Sequence, residues 1–149
     1  MALLIRNLVF SDLDKLLALY HDLNPLDDAL PPRPTVEEVW RAILVDPMQI
    51  YLGGFVDDAL VSACNAAVVR NLTRGARPYA VIENVVTATD HRRHGFGSAV
   101  LQALLTLCRA RHCYKVMLLS GANRADAHAF YDSNGFDSTA KQAFIINAR

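Results

Sequence analysis

The chain has 149 residues, of which 52% are hydrophobic, and its 15 basic and 15 acidic side chains cancel to a formal net charge of zero at pH 7. This length is typical of one domain with a core of ordinary size, and a balanced charge excludes a general attraction to nucleic acid or to an anionic membrane. We therefore predict a single domain over residues 1–149 that binds neither, so any phosphate binding must be local.

Three further compositional features limit the function. No apolar run approaches the roughly 20 residues that cross a bilayer, and the chain does not begin with a basic leader, so we expect a cytoplasmic protein. The 3 cysteines form no Cys-x-x-Cys pair, and their odd number favours reduced thiols. The 5 histidines show no ligand spacing, so no metal site is predicted.

The chain begins with a short apolar stretch, residues 3–10, which predicts a first strand. Ser11, followed by Asp14 three residues later, predicts the capped start of a first helix. The apolar face of that helix recurs at helical spacing and consists of Leu13, Leu16, Leu17, Tyr20 and Leu23.

A loop and a second amphipathic helix follow. Residues 24–34 contain four prolines and two adjacent acids, which favours a shaped loop. Thr35 and Glu38 form a second capping box, and the helix behind it should end before Pro47.

The next segment reads as antiparallel strands. Two apolar runs, residues 50–56 and 60–69, flank Asp57 and Asp58, which predicts a β-hairpin. An apolar, β-branched run over residues 79–87 predicts a third long strand.

The last part of the chain changes to alternating helices and strands. A helix over residues 97–111 and a short apolar strand over 115–119 complete a βαβ unit with the strand before them. A helix over 124–133 should end at the Asn-Gly pair at 134–135, and residues 144–146 predict a final strand.

The segment that joins the third long strand to the buried helix reads RRHGFG, residues 92–97. The first amides of a helix lack intrahelical partners and lie at the positive end of its dipole, so such an end binds phosphate. Gly95 and Gly97 allow a ligand to approach closely, and Arg92 and Arg93 add positive charge. The spacing matches neither a Walker loop nor a dinucleotide fingerprint. A purely structural turn into a helix is the alternative interpretation.

The pattern Arg-x-x-Gly-x-Gly, together with the segment NRADAHAFYDSNGF at 123–136, resembles the acyl-coenzyme A signature of the GNAT family of N-acetyltransferases. The resemblance implies an α/β fold with a mixed, mostly antiparallel central sheet, one parallel βαβ unit and flanking helices. It also implies acetyl-CoA as cosubstrate, no metal, and the primary amine of a small molecule as acceptor. Two short segments, Cys113-Tyr114-Lys115 and Ile82-Glu83, are similar to glucosamine-6-phosphate N-acetyltransferases, but they are too short to assign a substrate.

The resemblance assigns the coenzyme contacts residue by residue. In the family the strand before the loop runs along the pantetheine arm, the loop binds the pyrophosphate, and a later segment touches the arm again. The matching positions here are Val85, Val86, Thr87, Arg92, Arg93, His94, Gly95, Phe96, Gly97, Ser98, Asn123 and Phe130. Sheet edges in this family often pair, which leaves a homodimer open.

Two residues are candidate catalysts. Glu83 is the one ionisable residue in its strand, and strand alternation predicts that it shares a face with Val85, so a buried carboxylate could act as general base or be a structural partner of an arginine or amide. Tyr131 matches the tyrosine that in many family members protonates the coenzyme thiolate, and the alternative is a core aromatic residue. Asp27 and Asp28 lie in the loop that commonly borders the acceptor site, where they would favour a cationic amine, although a solvated loop explains them equally.

Two other functions remain open on the sequence. A non-catalytic acyl-CoA binding or sensing domain would keep the loop at 92–97 but turn over no substrate. An enzyme that acetylates protein N-termini or lysines would need an open peptide groove.

Overall fold

The computed structural model describes residues 2–148 and contains one five-stranded mixed sheet with the strands in chain order. The strands are β1 (Leu4–Asn7), β2 (Gln49–Val56), β3 (Ala59–Val69), β4 (Tyr79–Thr87) and β5 (Val116–Leu118). The first four pair antiparallel. The Tyr114 N–H donates to Pro78 O and the Ala80 N–H donates to Lys115 O, so β5 runs parallel to β4. The mixed α/β fold class predicted from the sequence is confirmed.

Helices connect these strands. They are α1 (Leu13–Leu23), α2 (Arg33–Val45), the one-turn α3 (Thr73–Ala76), α4 (Phe96–Ala110) and α5 (Ala125–Ser133), and 3₁₀ turns cover Phe10–Asp12 and Thr89–His91. The chain forms two compact units, one reaching to Met117 and one starting at Leu118. The single domain expected from the length remains a prediction. Within residues 2–148, no helix is both long and apolar enough to span a bilayer.

The sheet of the first unit is covered on both faces. On one face, buried leucines of α1 and Trp40 of α2 pack against Phe55, Ala63 and Val86. On the other face α4 lies against the strands, with Phe96 in contact with Val56 and Val61. The helix α4 packs so closely on β2 that residue 54 has no room for a side chain, because a Cβ there would lie 2.7 Å from a methyl carbon of Val100.

The three cysteines are free. Burial raises the pKa of Cys64 to about 12 and that of Cys108 to about 11, so both thiols stay protonated at neutral pH. They serve as apolar packing residues.

The start of the chain differs from the sequence prediction in its turns. The first strand ends at Asn7 because the chain then enters the 3₁₀ turn at Phe10–Asp12. Ser11 is therefore not the cap of α1. Instead, the Asp12 carboxylate accepts the Val9 N–H at 2.8 Å.

The second helix also starts earlier than predicted. It begins at Arg33 with Pro32 as its N-cap residue, so Thr35 lies inside the first turn and does not cap it. Proline is compatible with this position, since the first helical residues have no intrahelical acceptor for an N–H. The end of α2 before Pro47 is as predicted.

The hairpin and the end of the last helix follow the sequence, but the last strand does not. Asp57 and Asp58 both have positive φ, as a two-residue hairpin turn requires. Residues 144–146 belong to no strand, so that prediction is wrong. Phe144 is 88% exposed and lies in no ladder of the described chain, and a strand does not form without a partner for its backbone groups.

An ion pair fixes the entry into α1. Arg6 donates to both carboxylate oxygens of Asp12, at 2.7 and 3.0 Å, and its guanidinium lies 3.9 Å from the centre of the Phe55 ring. Asp12 is 3% exposed. The hydrogen bonds from Arg6 hold the pKa of Asp12 below its ordinary value.

We predict that Asp12→Asn lowers the free energy of unfolding at pH 7 by about 2 kcal/mol, the scale of a hydrogen bond to a charged group. Because the pKa of Asp12 is lower in the folded chain, its contribution is complete above about pH 4 and is lost as the pH falls through the folded pKa. Urea denaturation between pH 3 and 7 should therefore show the two proteins converging at low pH.

Asp14→Asn is the matched control, because the Asp14 side chain is 80% exposed and its ion pair with Arg33 lies at the surface. Equal losses of stability in the two variants would contradict a special role for Asp12.

Candidate functional site

The strand β4 contains a bulge in its second half. Glu83 pairs with Asn65 and Val86 pairs with Ala63, so three steps along β4 correspond to two along β3. The extra residue lies at Asn84, whose φ is 54°. A bulge of this kind changes which residues share a face of the sheet.

The bulge corrects the placement of Glu83. Cross-strand partners share a face, and Asn65 and Ala63 are two residues apart, so Glu83 lies on the face of Val86 and not on that of Val85. Glu83 is also exposed, so the burial predicted from its apolar strand is wrong. The same-face prediction failed because alternation assumes a regular strand. The catalytic role of Glu83 remains a prediction.

The second half of β4 extends beyond its neighbour on one side. The pairing of β5 starts at the first residues of β4, and β5 has 3 residues against 9 in β4. Because the Ala88 N–H donates to Val61 O at 2.8 Å, alternation turns the Val86 N–H towards β3 and the N–H groups of Val85 and Thr87 away from it. A pantetheine arm running along β4 would need such N–H groups, directed away from β3, as hydrogen-bond donors.

Side-chain hydrogen bonds hold the end of β4 to β3 and to the following loop. Ser62, which is 1% exposed, donates to Val86 O at 3.0 Å, and its hydroxyl lies 2.9 Å from the Thr87 hydroxyl. Arg92 Nε donates to Thr87 O at 3.3 Å. The strand end and the start of the loop are therefore one connected structure.

The loop enters α4 through two left-handed residues. Arg93 has φ 63° and Gly95 has φ 78°, and Gly95 is the N-cap residue of α4. A Cβ added at Gly95 would meet no atom within 4 Å, so the surface beside it is open. The first helical hydrogen bond runs from the Ala99 N–H to Gly95 O, so the amides of Phe96 and Gly97 precede it.

Aromatic packing orients this loop. The Phe96 side chain is 7% exposed and belongs to the core, so only its backbone is available to a ligand. The His94 ring stacks on it, with centroids 5.4 Å apart and planes 15° apart, and His94 Nδ1 lies 2.9 Å from Arg92 O.

The loop is positively charged and exposed. The side chains of Arg92 and Arg93 are at the surface, and in the described part of the chain neither forms an ion pair. Free helix amides, an open backbone and two cations at one end of α4 can bind a pyrophosphate, so the residues present fit the coenzyme. Ser98 lies in the same first turn. Direct contacts of residues 92–98 with coenzyme remain predictions.

The second unit contains the remaining predicted residues. The helix α5 ends with Gly135 at φ 91°, the Gly135 N–H donates to Asp132 O, and the Phe136 N–H donates to Tyr131 O. These bonds form a Schellman motif, which usually carries a hydrophobic contact between its outer residue and the helix. Tyr131 makes that contact with Phe136, at 5.9 Å between ring centroids.

Tyr131 therefore has a structural role, whatever its chemical role. The ring of Phe130 also packs edge-to-face on it at 5.3 Å. Asn123 lies in the exposed loop before α5, which His128 fixes through a hydrogen bond of 2.8 Å between Nε2 and Gly121 O. The contacts predicted for Asn123 and Phe130 remain predictions.

Four residues around the site were not singled out from the sequence. Ser62 and Asn65 are polar residues in the otherwise apolar strand β3, and that contrast is a signal that could have identified them. Asn84 is also a polar residue in an apolar strand, so the same signal applies to it, whereas Tyr20 fits the apolar face of α1 and gave no signal. Among residues 2–148, no group of three or more His, Cys, Asp or Glu could hold a metal.

Comparison with known proteins adds independent information. Residues 14–136 match the family described as Acetyltransferase (GNAT) family. A glucosamine 6-phosphate N-acetyltransferase of Trypanosoma brucei brucei is 31% identical over 83 residues, which are 56% of this chain and 54% of that relative. The match thus spans about half the length of the curated relative.

Two solved structures resemble the whole chain. A protein of Agrobacterium tumefaciens str. C58, provisionally named an acetyltransferase, is 38% identical with a TM-score of 0.90, covering 97% of this chain and 99% of that one. An aminoglycoside antibiotic 6′-N-acetyltransferase of Acinetobacter baumannii has 17% identity and a TM-score of 0.78, covering 98% of each chain. At that identity the second similarity concerns the fold alone.

The open loop leads to a binding prediction. Gly97→Val places a branched side chain in the first turn of α4, and we expect acetyl-CoA affinity in calorimetric titration to fall at least about tenfold, because the pyrophosphate can no longer approach the amides. The variant should remain folded, since residue 97 is only partly buried and is not one of the core residues.

The control is Gly75→Ala, at an exposed glycine of α3 with φ 73° and no atom within 4 Å of an added Cβ. It should keep coenzyme affinity. A folded Gly97→Val variant with unchanged affinity would show that the phosphates bind elsewhere.

Proposed function

The chain belongs to the GNAT family of acetyltransferases, and on this premise we propose that it transfers the acetyl group of acetyl-CoA to the primary amine of a small molecule. The observation that carries the proposal is the loop of residues 92–97 at the start of α4. It follows directly on a strand whose outer edge is free of β5, so phosphate binding and a path for the pantetheine arm lie in sequence along the same element.

The reaction makes five chemical demands. The amine nitrogen must be neutral, because its lone pair forms the bond to the thioester carbon. The carbonyl oxygen must be stabilised as negative charge develops on it, and the carbon–sulfur bond must break. The proton lost by the amine goes to a base, and the coenzyme thiolate receives a proton as it leaves.

Residues of this chain can meet these demands. The Val85 N–H points away from β3, and in the proposed site it donates to the thioester oxygen. Glu83 is exposed at the bulge and would take the amine proton directly or through water. Tyr131 is the family match for the acid that protonates the thiolate.

The relatives suggest the class of acceptor. One is named as an enzyme acting on glucosamine 6-phosphate, and a second, related in fold, as an enzyme acting on aminoglycosides. Both acceptors carry an amine on a sugar. We therefore propose an amino sugar or a similar polar amine. In the proposed site, Asp27 and Asp28 border the acceptor from their exposed loop and attract its positive charge.

Two alternative functions predict different assay results. A non-catalytic acyl-CoA sensor would bind acetyl-CoA and release no thiol with any amine. An enzyme acting on protein N-termini or lysines would release thiol with peptides but not with amino sugars.

A thiol-release assay with acetyl-CoA distinguishes these functions. The panel contains glucosamine 6-phosphate, aminoglycosides, polyamines, amino acids and peptides, and we expect turnover with at least one amino sugar. Release with peptides alone would replace the proposed function by the protein acetyltransferase. Binding without release across the panel would replace it by the sensor.

The base role predicts a change in pH dependence. Glu83→Gln should lower turnover most on the acidic side of the profile, where the amine arrives protonated and needs a base, while the affinity for acetyl-CoA barely changes. The measurement is kcat from pH 6 to 9. A wild-type rate with the same acidic limb would show that Glu83 is not the base.

The acid role predicts a moderate loss in Tyr131→Phe, because a thiolate with a pKa near 8.5 is already a fair leaving group. We expect turnover to fall about 10²-fold, the low end of general acid catalysis. The variant keeps the ring, and so keeps the contact with Phe136 that closes the Schellman motif.

Phe136→Leu serves as the structural control, because it weakens that contact while leaving the Tyr131 hydroxyl in place. If Tyr131→Phe retains full turnover and only the contact-weakening variant loses stability, Tyr131 is a structural residue and solvent protonates the thiolate.

A further inference from the structure

The first unit contains a cavity that lies away from the loop at 92–97. Its volume is about 170 Å³, and Arg111 forms part of its wall. Arg111 follows the last residue of α4, whereas the loop precedes the first. A helix of 15 residues is about 22 Å long, so the cavity and the loop lie at opposite ends of α4. A small ligand in this cavity would not contact the coenzyme phosphates.

The cavity exists because β1 ends early. The chain leaves the sheet after Asn7 to enter the 3₁₀ turn, and the Leu8 N–H still donates to Tyr51 O at 3.0 Å. The first residues of β2, Gln49 and Ile50, therefore project past the end of β1. The C-terminal ends of α2 and α4, which cover opposite faces of the sheet, flank this gap. A corner of the sheet is thus left unfilled.

The wall of the cavity combines aliphatic and polar residues. The polar ones are Asn7, Gln49, Tyr51 and Arg111. The aliphatic ones are Leu8, Ile43, Leu44, Ile50 and Leu107. Sites for small molecules have this composition, in which an apolar wall holds the body of the ligand and a few polar groups orient it.

Arg111 lies at the opening of the cavity with most of its donors unused. Its Nη1 donates to Pro47 O in the turn before β2, which ties the guanidinium to that turn. Its backbone N–H donates to Leu107 O, which fixes the start of the side chain. Arg111 forms no ion pair with any residue in the range 2–148. Because a guanidinium has five N–H donors in a planar fork, the remaining ones can bind a carboxylate.

Asp46, in the turn before β2, does not neutralise Arg111. Its carboxylate accepts hydrogen bonds from the Met48 N–H at 2.8 Å and from Gln49 Nε2 at 3.1 Å. The bond from Met48 is the main reason why the pKa of Asp46 lies below its ordinary value, and the charge of Arg70 lowers it further. Asp46 is therefore an anion already bound by its own turn. With Arg70 and Arg111 near one carboxylate, the charge around the opening is positive on balance.

We propose that this cavity is a second ligand site, which binds a small aliphatic carboxylate. The carboxylate pairs with Arg111 at the opening, and the aliphatic body fills the space beside Leu107 and Ile43. A cavity of about 150 Å³ holds benzene, so the volume here accepts a body of about four to six carbon atoms. This site goes beyond the proposed acetyl transfer and does not depend on it.

Three probe molecules separate the parts of such a ligand. Isocaproate has an aliphatic body and a carboxylate, acetate has the carboxylate with almost no body, and isoamylamine has the body with a positive charge. Each is titrated into the ¹⁵N-labelled full chain while the amide resonances of Ile50 and Arg111 are followed. We expect isocaproate to bind saturably with a dissociation constant below about 1 mM, and acetate and isoamylamine to bind at least about tenfold more weakly.

Two variants and a matched control test the residues. Arg111→Gln removes the charge at the opening, and Leu107→Trp fills the cavity from a position that is 37% exposed, where a larger side chain is tolerated. Each should weaken isocaproate binding at least about tenfold. The control is Arg109→Gln, at an exposed arginine of α4 that does not line the cavity, and it should bind as wild type does. The amide spectrum of each variant reports whether it is folded.

Three results would overturn the proposal. The first is no saturable binding of isocaproate at about tenfold the expected dissociation constant. The second is equal affinity for isocaproate and either of the other probes, because Arg111 would then attract anions without the cavity, or the carboxylate would not be recognised. The third is wild-type affinity in a folded Arg111→Gln or Leu107→Trp variant.

Two features keep the test decisive. Arg111→Gln also removes the bond to Pro47 O, and should it fail to fold, the probe series and Leu107→Trp still decide the question. None of the measurements uses acetyl transfer, so a chain that acetylates no amine but binds isocaproate would refute the proposed function and leave the second site standing.

Discussion

A single extra residue in β4 sets the geometry of the candidate site. Because of the bulge at Asn84, the pairing of β4 with β3 shifts by one residue between the two halves of β4. Glu83 and Val86 therefore share a face of the sheet. Side chains of the first half continue to pack into the core, while backbone groups of the second half become available on the side away from β3. Neither arrangement would survive a regular strand, because a register slip exchanges both faces at once.

The loop at 92–97 depends on the same strand. Ser62, buried in the neighbouring strand β3, anchors the end of β4 through Val86 O and the Thr87 hydroxyl, and Arg92 returns to Thr87 O from the loop. These bonds connect the loop before α4 to the end of β4. In a chain with no net charge, this local concentration of helix amides and arginines supplies the attraction for an anion.

Tyr131 illustrates why structural and catalytic interpretations need not compete. Its ring closes the Schellman motif against Phe136, which fixes the end of α5, and its hydroxyl adds nothing to that contact. The same residue can therefore be required for order through its ring and for chemistry through its oxygen. Phenylalanine at this position keeps the ring and its contact with Phe136, so that contact can be separated from the chemistry of the hydroxyl.

The sequence by itself determined the fold class, the order of the strands and helices, and the position of the loop at 92–97, because hydrophobic period, turn residues and the glycine-arginine pattern are local properties. It misplaced the caps of α1 and α2 by a turn or less, and it predicted a strand at 144–146 that has no partner. Only the tertiary structure decided which groups face the site. Whether Glu83 is buried and which way the Val85 amide points both depend on the pairing of β4 with β3 and on its packing under α1. Pairing joins residues about twenty positions apart in the chain. A strained residue such as the one in the bulge persists only where such distant contacts stabilise it, so a local sequence pattern does not predict it.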